Sequence, residues 1–155
     1  MEQEWTPTEP ELRDVVRAAA VHYWRATAVP GCVLVAGLAL LAVGLSGPVL
    51  AVLLVVLGAA WLGRAWSACR SSARQVFGAA YPVGRTVSAE ATDDALVPRT
   101  GTGTAEVAWE RFQRPRVGPV FVVARDGVTR QQLMVPRPLF PDAWLGRIGV
   151  PADGG

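Results

Sequence analysis

The hydrophobic pattern of this chain predicts a membrane segment followed by a region of short strands. No Asp, Glu, Lys or Arg occurs in the 38 residues of Ala26–Gly63, whereas both flanks mix apolar and charged positions. The turn signal Ser46-Gly47-Pro48 divides this apolar block into two halves rich in Leu and Val. A membrane-spanning helix needs about 20 apolar residues. The block therefore predicts a transmembrane hairpin at 28–66, with helices at 28–45 and 48–66.

Both halves of the block reach the required length only with the aromatic residues at their ends. Tyr and Trp favour the headgroup level of a bilayer, so we expect Tyr23, Trp24, Trp61 and Trp66 to be interfacial anchors. The soluble alternative is a helical hairpin buried in a larger core. Helices that are apolar on every face need cover on every face, and the rest of the 155-residue chain is too short to supply it.

The segment before the block predicts a cytosolic amphipathic helix within residues 1–27. Thr8 and Glu11 have the spacing of a capping box. The apolar residues after them recur at intervals of three and four, which is the helical period. They are Leu12, Val15, Val16, Ala19, Ala20, Tyr23 and Trp24. The acidic start lacks the basic region of a signal peptide, so we expect the first apolar stretch to be retained.

The arginines predict the orientation of the hairpin. Six of them flank it and none lies in its turn: Arg13, Arg17 and Arg25 before it, and Arg64, Arg70 and Arg74 after it. Cytoplasmic segments beside membrane helices carry the excess of basic residues. We therefore expect both termini to lie in the cytoplasm.

Beyond Arg74 the pattern changes to short, partly alternating apolar runs. Residues 67–80 predict a juxtamembrane linker helix, and residues 81–150 predict a five-strand antiparallel β-meander closed by a helix. The predicted strands are Val83–Ala91, Ala95–Thr100, Thr104–Trp109, Val117–Ala124 and Val128–Val135. A two-residue Asp126-Gly127 turn is expected between the last two. Asp142 is expected to cap the closing helix, and residues 151–155 are expected to be a disordered tail.

These segments together resemble the YcxB-like family of small bacterial membrane proteins. The resemblance rests on a helix that begins Thr-Pro-Thr-Glu, on the short hairpin, and on the stretch Tyr81–Ile148. Its most recognisable parts there are Trp109 with Phe112, the strand Val120–Val123, and the closing Val135–Phe140, where arginine replaces the family's lysine and an extra proline follows. The resemblance implies a pleckstrin-homology-like domain at a bacterial inner membrane. It implies no activity, because the family has no established catalytic residues.

The composition adds no sign of catalysis. Net charge is only +2 and comes from arginine alone, which fits a GC-rich genome better than a nucleic-acid partner. Cys32 and Cys69 show no metal-ligand spacing, and the sole histidine, His22, is interpreted as a tolerated interfacial residue. The glycine-rich stretch 101–104 predicts a hairpin turn, since a phosphate loop needs a lysine. We therefore expect no catalytic residue, no cofactor, no metal and no nucleic-acid partner.

Two groups of residues are candidates for binding. Arg111, Arg114 and Arg116 lie beside Trp109 in the sequence, and we expect these four to contact anionic lipid or a partner. The alternative is a solvated basic edge that Glu106 and Glu110 balance. Small residues four apart predict a close contact between helices. They are Ala28, Cys32 and Ala36 in the first helix, and Ala59 and Gly63 in the second.

The leading hypothesis is a non-enzymatic interaction module anchored in the membrane. Its soluble part would bind a protein partner, a second copy or anionic headgroups. The alternative is a small channel or transporter subunit built by oligomerising hairpins. Against that alternative, neither predicted helix carries the intramembrane polar or ionisable residues that conduction pathways need.

Overall fold

Two long helices, α1 (Glu9–Ser46) and α2 (Pro48–Ala80), are joined by the single residue Gly47. Gly47 has a φ of +89°, in the left-handed region that glycine enters without steric cost. Pro48 suits the first position of a helix, where its missing N–H is not needed. The turn predicted at Ser46–Pro48 is therefore confirmed.

The computed structural model describes residues 2–149, except for the side chains of Leu45 and Ser46. The chain forms two compact units. The helical unit is Val16–Val76, and the β unit combines the described residues before Val16 with those from Phe77 onward. The architecture is α+β, with antiparallel sheets after the two apolar helices. The predicted tail at 151–155 lies outside the described residues.

Each helix is continuous where the sequence predicted a boundary. The amphipathic helix predicted within 1–27 continues without a break into the apolar helix predicted at 28–45, and the apolar helix predicted at 48–66 continues through the linker predicted at 67–80. A change from charged to apolar side chains alters the solvent that a helix prefers, but it leaves the backbone hydrogen bonds intact. Pro30 also lies inside α1, as membrane helices tolerate.

The start of α1 is fixed by the predicted capping box. The backbone N–H and the hydroxyl of Thr8 both donate to Glu11 Oε2 at 2.8 Å. The Leu12 N–H donates to the Thr8 carbonyl at 3.0 Å. The bonds from Thr8, the backbone one first, hold the pKa of the Glu11 carboxyl below its usual value. The capping box is therefore confirmed.

Within the helical unit, α1 and α2 approach closely at two glycines. A Cβ atom on Gly31 would lie 2.5 Å from the Trp61 ring, and one on Gly58 would lie 2.7 Å from a Val35 methyl. Several alanines of this unit are also buried: Ala19, Ala20, Ala28, Ala42, Ala51 and Ala73. Small residues therefore allow the close approach of the two helices.

The small residues predicted for this contact are mostly not the ones used. Ala28 is buried, but Cys32, Ala36, Ala59 and Gly63 are exposed. A spacing of four residues recurs on every face of an alanine-rich helix, so it cannot select the face that packs. The face that packs is instead determined by the large side chains opposite Gly31 and Gly58.

The chain begins with a strand that the sequence did not predict. β1 (Glu2–Trp5) pairs antiparallel with β2 (Val87–Ala91), and Trp5 lies opposite Val87. Four residues with one large apolar side chain show no periodicity, so only the distant partner strand makes this segment a strand. The helix predicted within residues 1–27 begins at Glu9, directly after Thr8, and the strand before it was not predicted.

The first sheet has the order β1-β2-β3-β4, with β5 also paired to β3. Its other strands are β3 (Ala95–Thr100), β4 (Gly103–Thr104) and β5 (Val107–Ala108). The predicted bounds of β3 are confirmed, and so is the hairpin turn after it, since Thr100 lies opposite Gly103.

Two other strand predictions in this sheet are corrected. The strand predicted from Val83 begins only at Val87, because a turn that includes Gly84 at φ +74° precedes it. The strand predicted at Thr104–Trp109 is broken into β4 and β5, and Trp109 begins a 3₁₀ helix that ends at Arg111.

The second sheet has three strands in the order β6-β7-β8: β6 (Phe112–Val117), β7 (Phe121–Asp126) and β8 (Gln132–Pro136). The single five-strand meander is therefore wrong, since the described residues form eight strands in two sheets. β6 was missed because Pro115 and two arginines interrupt its alternation. A bulge between Gln113 and Arg116, with Arg114 at φ +50°, absorbs this irregularity.

Aromatic side chains form the core of the β unit. Phe140 is fully buried and meets the rings of Trp109, Phe112 and Trp144, with centroids 5.8–6.3 Å apart. A second cluster contains Trp5, Phe77, Tyr81 and Phe121. Burial raises the pKa of Tyr81 to about 12, because the phenolate is poorly solvated there.

The predicted closing helix is present as the 3₁₀ helix Asp142–Ile148, and a second short 3₁₀ helix, Arg137–Leu139, precedes it. Asp142 does not cap the closing helix, whose N-cap is Pro141. The Asp142 carboxylate instead accepts a hydrogen bond from the guanidinium of Arg137. Arg137 also donates to the Phe140 carbonyl at 3.0 Å, so its side chain bridges the two 3₁₀ helices.

Candidate functional site

Trp109, which the sequence predicted as a contact for lipid or a partner, is a core residue. Its ring is buried, and its indole N–H donates to the Thr92 carbonyl at 3.1 Å. The guanidinium of Arg147 lies 5.7 Å from the ring centroid and donates to the same carbonyl. Trp109 therefore attaches the closing 3₁₀ helix to the turn between β2 and β3.

Arg111 is also engaged inside the β unit. Its Nε donates to Asp126 Oδ1 at 3.1 Å and its Nη2 donates to Oδ2, which is a bidentate ion pair. The Asp126 side chain is 5% exposed. The guanidinium lowers the pKa of the Asp126 carboxyl, and the carboxylate raises that of Arg111. Of the four predicted contact residues, only Arg114 and Arg116 thus remain exposed.

Asp126 also shapes the loop between β7 and β8. Its Oδ1 accepts the N–H groups of Val128 at 2.8 Å and Thr129 at 3.3 Å. The Asp126 N–H donates to the Gln131 carbonyl at 2.7 Å, so the connection is a five-residue loop from Gly127. The predicted two-residue Asp126-Gly127 turn is corrected, because the carboxylate favours a wider loop in which Arg130 takes the positive φ, +62°.

Four exposed arginines lie on or beside the second sheet: Arg114 and Arg116 in β6, Arg125 in β7, and Arg130 in the loop after β7, which together we call the basic face. Arg116 pairs with Val123 across the sheet, and Arg125 follows Val123 at an interval of two. Paired residues and residues two apart share one side of a sheet. Arg114 lies in the bulge next to Arg116, and the Arg130 carbonyl accepts a bond from Arg125 Nε at 3.3 Å. The four arginines are therefore neighbours.

No carboxylate of residues 2–149 forms an ion pair with the basic face. Within Phe112–Pro136 the only acidic residue is Asp126, and its carboxylate already forms an ion pair with Arg111. The structure records no ion pair between any of the four arginines and another described residue. Exposed guanidinium groups without counter-charges attract anionic groups from outside the unit.

The first sheet carries the opposite charge on its exposed face. Burial alternates along β2, with Val87, Ala89 and Ala91 inward. Glu90 and Ser88 point outward, opposite Glu2 and Glu4 on β1. We call Glu2, Glu4 and Glu90 the acidic face. Arg99 lies beside them on β3, and its Nη2 lies 3.1 Å from Glu90 Oε2.

A shallow cavity of about 340 Å³ lies between the acidic face and the turn after α2. Its lining residues are Pro82, Arg85, Thr86, Val87, Ser88, Arg99, Thr100 and Gly101. Most of its polar groups already have partners in the β unit. Thr86 Oγ1 bonds Thr6 Oγ1 at 2.9 Å, Thr100 Oγ1 bonds the Gly103 carbonyl, and Arg99 binds Glu90. A ligand would have to displace these bonds.

The helical unit presents an apolar surface. Two helices are long and apolar enough to cross a membrane, and only 11% of the most apolar window of each is buried. Fourteen Val and Leu side chains between Val29 and Leu57 are more than 40% exposed. A helix at the core of a soluble domain is covered by its neighbours, whereas these helices present their large side chains outward.

The predicted anchor residues take two arrangements. Tyr23 and Trp61 are exposed, at 39% and 46%. Trp24 and Trp66 are half-buried against each other, with ring centroids 5.8 Å apart and an edge-to-face angle of 82°. Trp24 and Trp66 thus hold α1 to α2 near the charged ends of the apolar block.

The structure describes no cluster of metal ligands, since no three His, Cys, Asp or Glu side chains converge in residues 2–149. Cys32 and Cys69 are both free thiols. The residues that sequence analysis missed are Arg125 and Arg130. The near absence of acidic residues from Phe112 to Pro136 was a signal for them. Because strand β6 was not predicted, the sequence did not indicate that Arg125 lies on the same sheet as Arg116, next to the loop of Arg130.

No protein-family model, curated protein or solved structure matches this chain. The resemblance to the YcxB-like family stays a prediction.

Proposed function

We propose that this protein is a membrane-anchored, non-enzymatic interaction module. Its helices α1 and α2 cross a bacterial inner membrane as a hairpin, and its β unit binds an anionic partner through the basic face. That partner is an acidic protein surface or anionic lipid headgroups. The observation that carries the proposal is the group of four exposed arginines on the second sheet and its β7–β8 loop, none of which is ion-paired with a described carboxylate.

The membrane anchor is supported by the outward-facing side chains of the helical unit. Each central Leu or Val favours insertion by roughly 0.3–0.6 kcal/mol. The described surface from Val29 to Leu57 is dominated by these residues, and no charge lies between Ala26 and Gly63 to oppose insertion. In water this surface would far exceed the apolar patch of an ordinary soluble monomer.

The topology is supported by the pairing of β1 with β2. β1 precedes the hairpin and β2 follows it, yet the two strands are hydrogen-bonded in one sheet. A compact unit that contains both flanks of a hairpin must lie on one side of the membrane. The six arginines beside the hairpin favour the cytoplasmic side for that unit.

The basic face is suited to anionic partners of two kinds. A basic residue near an anionic leaflet contributes about 1 kcal/mol to membrane attraction. An arginine that meets a carboxylate forms a bidentate pair of defined geometry. Both interactions weaken with salt, because exposed charges are screened beyond about 8 Å at physiological ionic strength.

We also propose that the β unit is a YcxB-like, pleckstrin-homology-like domain. The support is that three residues of the resemblance meet in one cluster: Trp109, Phe112 and Phe140 have ring centroids 5.8–6.3 Å apart. Residues that a family shares at separated positions are expected to pack together if they maintain its core.

The proposed function is tested with the full-length protein and a variant in which Arg114, Arg116, Arg125 and Arg130 are all replaced by serine. Both are extracted from membranes in mild detergent, and the bound lipids and proteins are identified by mass spectrometry. We expect anionic lipid or an acidic protein with the wild type and its loss from the variant. Arg13→Ser, an exposed arginine of α1, is the matched control. The same bound molecules in equal amounts on both proteins would refute the role of the basic face.

A further inference from the structure

The two sheets of the β unit carry opposite charges on their exposed faces. The first sheet presents the carboxylates of Glu2, Glu4 and Glu90, and the second presents Arg116 and Arg125, with Arg114 in the adjacent bulge and Arg130 in the adjacent loop. Because the faces belong to different sheets, contact through one leaves the other available.

The acidic face holds charges that its own sheet does not neutralise. Glu2 and Glu90 lie directly opposite each other in the register of β1 and β2, and like charges in that position repel. Arg99 compensates Glu90, with 3.1 Å between Nη2 and Oε2. The structure records no ion pair for Glu2 or Glu4 within residues 2–149. This face therefore favours a cationic partner.

We propose that the acidic face of one copy of this chain docks on the basic face of a second copy, so that β units associate head to tail. This inference rests on the proposed function of the basic face and names its partner. Guanidinium groups and carboxylates are complementary in charge and in the planar geometry of their hydrogen bonds.

Membrane anchoring strengthens such a contact. Copies that are held in one bilayer with their β units on the same side meet at a high effective concentration, so weak individual contacts suffice. The contact joins two different surfaces, and it therefore produces rings or open chains of copies rather than a closed two-fold dimer. Since the charges are exposed, we expect the association to weaken strongly in high salt.

A charge-exchange experiment with the full-length protein tests this pairing. One variant carries Glu2→Arg and Glu4→Arg, and the other carries Arg116→Glu and Arg125→Glu. Two differently tagged copies are reconstituted in phosphatidylcholine liposomes, and their association is measured by energy transfer between fluorophores on the tags. We expect each variant alone to associate more than about tenfold more weakly than the wild type, because like charges then face each other. An equal mixture of the two variants is expected to regain association.

Matched controls place the same charge changes elsewhere on the β unit. Glu106→Arg and Arg85→Glu alter exposed residues outside both faces, and we expect wild-type association from each. Two neutral double variants control for misfolding caused by charge reversal. One carries Glu2→Gln and Glu4→Gln, and the other carries Arg116→Gln and Arg125→Gln. Either neutral variant is also expected to associate more weakly than the wild type.

The outcomes separate this inference from the proposed function. One outcome is that association between copies is the same in the mixture and the neutral variants as in the wild type. If the variant with Arg116→Glu and Arg125→Glu then fails to capture added phosphatidylglycerol vesicles, the partner is lipid and the head-to-tail pairing is wrong. If those reversals change neither copy association nor vesicle capture, both proposals fail. Association that is weak in each charge-reversed variant and is restored only when the two are mixed supports the head-to-tail pairing.

Discussion

The indole ring of Trp5 packs against the phenol ring of Tyr81, with the ring centroids 5.8 Å apart. These residues stand at opposite ends of the hairpin, Trp5 at the end of β1 and Tyr81 directly after α2. The β unit thus incorporates both flanks of the helices into one core. Its stability depends on a segment at the start of the chain.

Replacing Trp5 with alanine should destabilise the β unit by about 3–5 kcal/mol, as expected when a large buried aromatic side chain is truncated. The change removes the contact with Tyr81 and leaves a cavity beneath β1. Urea unfolding of the detergent-solubilised protein, followed by near-UV circular dichroism, measures the loss. Glu4→Gln on the same strand should have little effect. An unchanged midpoint for Trp5→Ala would contradict the role of β1.

Replacing Gly58 with alanine should weaken the packing of α1 on α2 by about 1–3 kcal/mol, the usual cost of overpacking a tight contact. Its Cβ would lie 2.7 Å from a Val35 methyl, so a helix must shift. Gly63→Ala in the same helix is the control, since its Cβ would meet no atom within 4 Å. Unfolding in sodium dodecyl sulfate compares the two. Equal stability of both variants would show that the helices do not meet at Gly58.

The Arg111–Asp126 ion pair should make the β unit acid-sensitive. The pKa of Asp126 is lowered in the folded state, so its contribution to stability is complete above the unfolded pKa near 4 and is lost as pH falls towards the lower folded value. Asp126→Asn should reduce stability at pH 7 and flatten its dependence on pH below about 4. Unfolding measured from pH 7 to acid tests this. A parallel acid slope in both proteins would exclude Asp126 as its source.

Tyr81 should remain protonated until pH is close to 12. Its unfolded pKa is near 10, so the folded state holds the proton more tightly and loses stability as pH rises from about 10 towards 12. Ultraviolet titration of the phenolate should show a late phase that is absent from Tyr81→Phe. A late phase that persists in this variant would assign it to another group.

The sequence predicted those helices and strands that are determined by residues close together in the chain. The absence of charge between Ala26 and Gly63 predicted two apolar helices, and Gly47 predicted the connection between them. Thr8 and Glu11 predicted the start of α1, and the run Ala95–Thr100 predicted β3.

The remaining features depend on residues that are distant in the chain. β1 becomes a strand only because β2 accepts its hydrogen bonds, and no pattern within Glu2–Trp5 indicates that partner. Arg111 and Arg114 look equivalent in the sequence, but only Arg111 reaches Asp126 across the second sheet. The candidate site was therefore predicted in kind, as an arginine cluster, but only two of its four members were identified.

The central claim is that the hairpin crosses the membrane and holds the β unit in the cytoplasm. With Cys32 and Cys69 replaced by serine, single cysteines are placed at Ser46, in the turn, and at Thr102, in the β3–β4 hairpin of the β unit. A membrane-impermeant thiol reagent is added to spheroplasts before and after lysis. We predict that Ser46→Cys reacts before lysis and Thr102→Cys only afterwards. Reaction of both only after lysis, or of Thr102→Cys before it, would contradict the account.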